Sequence, residues 1–304
     1  MRKYKEKIMG GVFFTAALTS ILAVLLICVF LFANGIPAMG KIGPLKFLLG
    51  ARRQSSYCAG PRHTFYWGFF YDSPYDSNIF GGIFPMILGS IYVTAGAIVI
   101  GVPVGILTSI FMSRYCPKPL YKILKPATEL LAGIPSIVYG FFGLVVLVPF
   151  VKTVFGGNGN SMLTASILLG IMILPTIIGV SESAIRSVPE SYYEGALALG
   201  ATKERSIFTV ILPAAKSGIL AGVILGIGRA IGETTAVIMV AGNQARIPSS
   251  ILKGVRTLTS NIVIEMGYAA DLHREVLIAT GVVLFVFILL INISFSIVKG
   301  RNKQ

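Results

Sequence analysis

Residues 217–242 read SGILAGVILGIGRAIGETTAVIMVAG, an apolar stretch whose only ionisable side chains are Arg229 and Glu233. A helix needs about 20 predominantly apolar residues to cross the hydrocarbon core of a bilayer. A charge near mid-membrane costs about 2.5–3.5 kcal/mol or more, so ionisable residues there face the bundle interior or water. The stretch therefore predicts a spanning helix with an inward-facing charged pair. Such a helix belongs to a multi-span bundle.

Five more segments satisfy the length rule: roughly 11–34, 86–112, 130–151, 162–181 and 276–298. The composition agrees. Only 12% of the 304 residues are charged and 55% are hydrophobic, against about 25% charged in an ordinary globular chain. Mean hydropathy is +0.82. These values exclude a disordered chain, a nucleic-acid-binding module and an ordinary cytosolic enzyme. The expected class is an all-α polytopic membrane protein with six transmembrane helices. Arg2, Lys3, Lys5 and Lys7 precede the first span like the basic end of a signal peptide. The run from Gly11 to Ala33 exceeds the 7–15 residues of such a segment, which makes it a retained span.

The net charge is +14. In a membrane protein such an excess marks loops on the cytoplasmic side, so no nucleic-acid partner is needed. Segments 1–9, 114–125, 182–216 and 299–304 carry fifteen Lys and Arg in 62 residues. Segments 35–84, 152–160 and 243–275 carry ten in 92. Both termini are therefore expected in the cytoplasm of a multi-pass inner-membrane protein. Cys28, Cys58 and Cys116 form no disulfide framework, and His63 and His273 lack metal-ligand spacing. The Gly35–Lys41 string has the spacing of a phosphate-binding loop but ends in Ile42, where Ser or Thr must reach Mg²⁺. No cofactor is expected, and the sequence offers no ATPase motif of its own. Glu129 is expected to open the third span, where a helix N-terminus favours a carboxylate. Phe65–Tyr71 form an aromatic cluster suited to a membrane–water interface or to docking a soluble protein.

Residues 182–216 make the longest basic-side loop. Ser187-Val-Pro-Glu190 predicts a capping box opening a helix through Tyr192, Glu194 and Leu197, with Gly200 as its stop. Thr202 is expected to cap a second short helix that Pro213 ends or bends. The product is a helix–turn–helix outside the membrane, either a docking surface or a structural hairpin. Glu194-Gly195-Ala196, Gly200, Val210 and Leu212-Pro213 resemble the EAA motif of ABC-importer permeases, with Gly195 and Val210 as small or near-isosteric departures. The resemblance implies the type I importer permease fold and a coupling helix that docks on an ATP-binding subunit dimer. It assigns coupling to Glu194, Ala196, Gly200, Ala201 and Pro213.

At about 100° per residue, Gly218, Gly222, Gly226, Arg229 and Glu233 share one face. The glycines would clear space for the pair. A guanidinium suits a tetrahedral oxyanion, with Glu233 holding Arg229 while the path is empty. A purely structural ion pair is the competing reading. Residues 229–243, together with Glu129–Gly140 and Arg256–Glu265, resemble the phosphate-specific transport permeases, and the C-type subunit more than its A-type sister. The resemblance covers most of residues 80–298. It implies phosphate translocation with Arg229 and Glu233 in the pathway. It also implies an A-type second permease and an extracytoplasmic phosphate-binding protein as partners.

The expected organisation is an N-terminal span and external loop over 1–84, a permease domain over 85–298 and a cytoplasmic tail over 299–304. Another oxyanion, such as sulfate, molybdate or a phosphonate, is the alternative cargo. An integral-membrane enzyme would need a catalytic constellation that the sequence does not offer.

Overall fold

The computed structural model describes residues 2–49 and 82–301. The aromatic cluster, Cys58 and His63 lie outside the described residues. Six helical segments are long and apolar enough to cross a membrane: Met9–Ile42, Phe84–Tyr115, Ser136–Phe155, Met162–Arg186, Lys203–Gly232 and Asp271–Ser294.

Helix α1 (Arg2–Ile42) runs to the short α2 (Pro44–Leu49), and α3 (Phe84–Ile110) forms the second span. The string with phosphate-loop spacing is the end of α1, where Lys41 pairs with Glu275 at 2.6 Å. Next come α4 (Lys118–Gly133), α5 (Ser136–Phe142), α6 (Val148–Phe155) and α7 (Met162–Arg186). Helices α8 (Glu190–Ala198) and α9 (Lys203–Ser206) precede α10 (Leu212–Gly232) and α11 (Thr235–Val240). Helices α12 (Leu258–Met266) and α13 (Asp271–Arg301) close the chain.

Two expected boundaries move. The third span does not begin at 130: Ile134 and Pro135 are extended, and the helix restarts at Ser136. The proline ring disfavours helical geometry at the residue before it. Glu129 therefore lies in the last turns of α4, exposed and 3.9 Å from Lys125, and does not open a span. The fifth span is broken too. Helix α10 stops at Gly232, Glu233 is extended, and α11 begins at Thr235.

Three π turns, Phe111–Tyr115, Gly143–Leu147 and Ile207–Ile211, each end two residues before a proline. Proline lacks the N–H that would reach back four residues, and its ring crowds that carbonyl. In the wide turn the preceding residue donates five positions back, as Cys116 does to the Phe111 carbonyl at 2.8 Å. The helical path through Pro213 thus continues where an end or a bend was expected.

Helix α7 is the spine. Its Leu168, Leu169, Met172, Ile173 and Ile177 are buried with Val93 and Ala97 of α3, Tyr139 of α5 and Val237 of α11. A Cβ on Gly101 would come 2.7 Å from Ile173, and one on Gly226 would come 2.9 Å from Ile177. Close approach by small residues is how helices associate in lipid, where no water drives them together. At its start, the N–H groups of Met162 and Leu163 donate to the Lys253 and Ile251 carbonyls, at 3.0 and 2.9 Å. The loop after α11 thus satisfies donors that a helix N-terminus leaves free.

Candidate functional site

The helix–turn–helix forms, with one correction. Ser187 does not cap α8: it ends α7 and its hydroxyl donates to the Ala184 carbonyl at 2.8 Å. Pro189 holds the cap position without a side-chain bond. Glu190 is drawn instead to Arg114, 2.8 Å away on the π turn below α3. A charge-assisted bond from a distant element outcompetes the local box.

At the other end of α8 the geometry is a Schellman motif. The Ala201 N–H donates to the Ala196 carbonyl at 3.1 Å, and the Gly200 N–H to the Leu197 carbonyl at 2.9 Å. Gly200 has φ +85°, the left-handed region that favours glycine at this position. Three of the five residues expected to carry coupling, Ala196, Gly200 and Ala201, are therefore joined in one turn. Thr202 then caps α9, accepting from the Arg205 N–H at 3.3 Å. Below the turn, Ile110, Ile185, Ile207 and Ile211 form a buried apolar base. Lys203 lies 5.0 Å over the Tyr115 ring. The outer faces of α8 stay open, with Tyr192 and Leu199 exposed.

Arg229 and Glu233 do not pair. Their expected ion pair presumes a helix continuing through Glu233, but the break takes that residue out of helical register. The Glu233 carboxylate instead accepts from the Thr234 N–H at 3.1 Å and the Ala236 N–H at 3.2 Å, capping α11. Its carbonyl accepts from the Thr259 hydroxyl at 3.1 Å. Arg229, half-buried, donates to the Thr176 hydroxyl at 3.3 Å across α7. Thr176 is fourteen residues from Met162, about 21 Å along the helix axis, which places it near mid-height. The glycine face opens no space for the pair either, since α7 fills it, with Ala184 against Gly218, Val180 and Ser181 against Gly222, and Ile173 and Ile177 against Gly226. Broken backbone at membrane depth is tolerated only where protein buries it or a water-filled cavity receives it.

Reasoning from sequence missed two side chains at α7. Thr176 has no local signal. Glu182, at the basic end, accepts from Tyr121 and Lys125 of α4, at 2.7 Å each, and from Arg186. Its bond to Tyr121 pushes the phenol above its ordinary value, and its bond to Lys125 likewise raises the ammonium. At the opposite end Arg256 and Glu265, 3% and 2% exposed, pair at 2.6 Å. Arg256 also bonds the Asn261 side chain and the Asn243 carbonyl.

A six-span helical bundle with a capped helix–turn–helix at its basic end is the architecture of a transport permease. The chain belongs to the family described as binding-protein-dependent transport system inner membrane component, which matches residues 101–304. It is 38% identical over 297 residues to the probable ABC transporter permease protein YqgH of Bacillus subtilis, covering 94% of this chain and 90% of that one. It is 39% identical over 233 residues to the phosphate transport system permease protein PstC of Mesorhizobium japonicum, covering 70% and 71%. Among solved structures it resembles a bacterial ABC transporter that imports alginate, with TM-score 0.59, 16% identity and 99% of both chains covered. The MetNI methionine transporter matches at TM-score 0.55 and 21% identity, over 73% of this chain and 94% of that one. The fold is that of type I ABC-importer permeases.

Proposed function

We propose that this chain is one of two permease subunits of an ATP-driven importer, and that its cargo is inorganic phosphate. The observation that carries the reading is the Glu190–Pro213 loop. It holds an exposed short helix, closed by a glycine turn, on an apolar base continuous with the spans. The phosphate assignment is supported by the relatives named phosphate transport system permease protein PstC.

In this reading the basic end and both termini face the cytoplasm, as the distribution of Lys and Arg favours. A separate ATP-binding dimer docks on α8 through the surface around Glu194, Ala196, Gly200 and Ala201. Pro213 lies in the first turn of α10, the helix that carries its motion inward. A second, A-type permease completes the path, and an extracytoplasmic phosphate-binding protein delivers the anion at the opposite face. The mechanism is alternating access, and this chain catalyses no bond-breaking itself.

Arg229 supplies the anion contact. Its guanidinium stays charged and offers a fixed fork of donors, one of which rests on Thr176. An arriving oxyanion takes those donors with charge assistance, which a neutral hydroxyl does not give. Glu233 holds the α10–α11 break, and its negative charge keeps the anion from settling too firmly to leave. The direct test is uptake of radiolabelled phosphate at low external concentration in cells deleted for this gene, with sulfate as control. Restoration of phosphate uptake alone by the wild-type chain is the expected result. Restoration of sulfate uptake instead would refute the cargo and leave the fold untouched.

A further inference from the structure

Glu182 is 1% exposed, one turn before α7 ends, and neither the coupling motif nor the Arg229 region uses it. A buried carboxylate is expensive unless it is paired and hydrogen-bonded. Glu182 takes the Tyr121 hydroxyl and the Lys125 ammonium, both from α4, and the Arg186 guanidinium from its own helix. Arg186 also donates to the Met112 carbonyl at 2.9 Å, below α3, and lies 4.2 Å over the Tyr121 ring. The ends of α3, α4 and α7 thus meet around one carboxylate.

Apart from the Tyr139 hydroxyl of α5, which donates to its Leu131 carbonyl at 2.8 Å, helix α4 has few other polar ties within the chain. It contains no buried residue, and the side-chain hydrogen bonds it donates to other elements both end on Glu182. Through Ile134 and Pro135 it leads into α5, whose Gly140 lies against Ala236 and Met239 of α11, just beyond the Glu233 break. On the other side, Arg114 bonds Glu190 at the start of α8 and the Ile185 carbonyl of α7, at 2.8 and 3.3 Å. Polar contacts joined by the short backbone step from Arg114 to Met112 therefore run from α8, past the ends of α3 and α7, through Arg186 and Glu182 to α4.

We propose that Glu182 is a positioning residue for transport, latching α4 to α7 so that displacement of the coupling helix is passed to α5 and the region of Arg229. The proposal rests on the reading of the chain as an ATP-driven phosphate permease. In this structure the latch is closed, with the Tyr121 hydroxyl and the Lys125 ammonium both on Glu182.

The test uses the assembled transporter in proteoliposomes, with the chain as wild type, Glu182→Gln, Tyr121→Phe, Lys125→Met or Lys125→Arg. Phosphate moved and ATP hydrolysed are measured in the same vesicles, per assembled complex. The substitution Thr128→Cys, three residues from Lys125, reports separation of α4 by its labelling with a water-soluble maleimide. The three native cysteines are replaced by alanine throughout.

For Glu182→Gln and Lys125→Met, phosphate moved per ATP falls about tenfold, within the range for residues that carry coupling, while hydrolysis persists. Lys125→Arg restores the ratio. Labelling depends on nucleotide in wild type and is fast in every state in Glu182→Gln. Reduced assembly with a normal ratio and normal labelling would make Glu182 a packing residue only and overturn the proposal. If Glu182→Gln does not assemble, Tyr121→Phe, which removes one hydroxyl, is read by the same ratio and is expected to lower it. If wild-type vesicles move no phosphate, the transport reading fails. The latch is then judged by labelling alone, where loss of nucleotide dependence in Glu182→Gln supports it and retention overturns it.

Discussion

Two glycines five residues apart, one inside α8 and one in the turn that closes it, should respond to alanine in opposite directions. Gly195 is inside α8, and a Cβ there meets no atom within 4 Å. Alanine gains about 1 kcal/mol of helix propensity over glycine at an open helical position. Gly200 is as open sterically, but its φ is +85°. A residue with a Cβ loses about 1–2 kcal/mol in the left-handed region, and the Schellman bonds from Gly200 and Ala201 depend on that conformation. One kcal/mol is about a fivefold change in an equilibrium. The assay is amide hydrogen exchange over 190–201 in the membrane-embedded chain, which reports local opening. Gly195→Ala should slow exchange in α8 about fivefold, and Gly200→Ala should quicken it at 200 and 201 by at least that factor. Gly200→Asn should fall between, because asparagine tolerates the left-handed region. Wild-type exchange in Gly200→Ala, or equal effects of alanine and asparagine, would refute the backbone argument.

Four further outcomes follow from the geometry. Because Arg229 and Glu233 do not pair, exchanging the two charges should transport no better than either single change; recovery in uptake assays would restore the ion pair. Glu233→Gln keeps an oxygen for the Thr234 and Ala236 N–H groups, so it should keep the break, whereas Glu233→Ala loses a cap of about 1 kcal/mol, read as faster exchange in α11. Ile177→Ala empties the contact between Gly105 and Gly226 and should destabilise the chain by about 2–4 kcal/mol, seen in thermal unfolding in detergent. Arg256→Ala removes the guanidinium 2.6 Å from buried Glu265, leaving the imidazole of His273 at 3.9 Å; breaking such a pair costs about 3–5 kcal/mol and should lower the amount of chain in the membrane.

Hydropathy made the six spans legible, because crossing a bilayer imposes one length on every helix. It did not place the breaks. Pro135 carried the signal for the first, through its restriction of Ile134, whereas Gly232-Glu233-Thr234 carries only weak helix-breaking residues. Angular periodicity found the glycine face of α10 correctly but not what lies against it. The period assigns faces, and Ile173 and Ile177 of α7 emerge only from packing. The stop at Gly200 was readable because a C-terminal glycine turn is local. The cap at Ser187 was misread because Arg114, distant in sequence, competes for Glu190. Glu182 was overlooked by drawing the span to end at 181, although a carboxylate one turn inside an apolar helix, with Arg186 four residues on, marks a charge that needs partners.

In the proposed function this chain lines a phosphate path driven through the Glu190–Pro213 loop. This is tested most directly by the phosphate transported per ATP hydrolysed in proteoliposomes holding the whole transporter, with wild-type Arg229 or Arg229→Ala. The account requires wild type to move phosphate and not sulfate, and Arg229→Ala to assemble and hydrolyse ATP while moving almost none. Undiminished phosphate transport by Arg229→Ala, or sulfate as the cargo of the wild type, would contradict it.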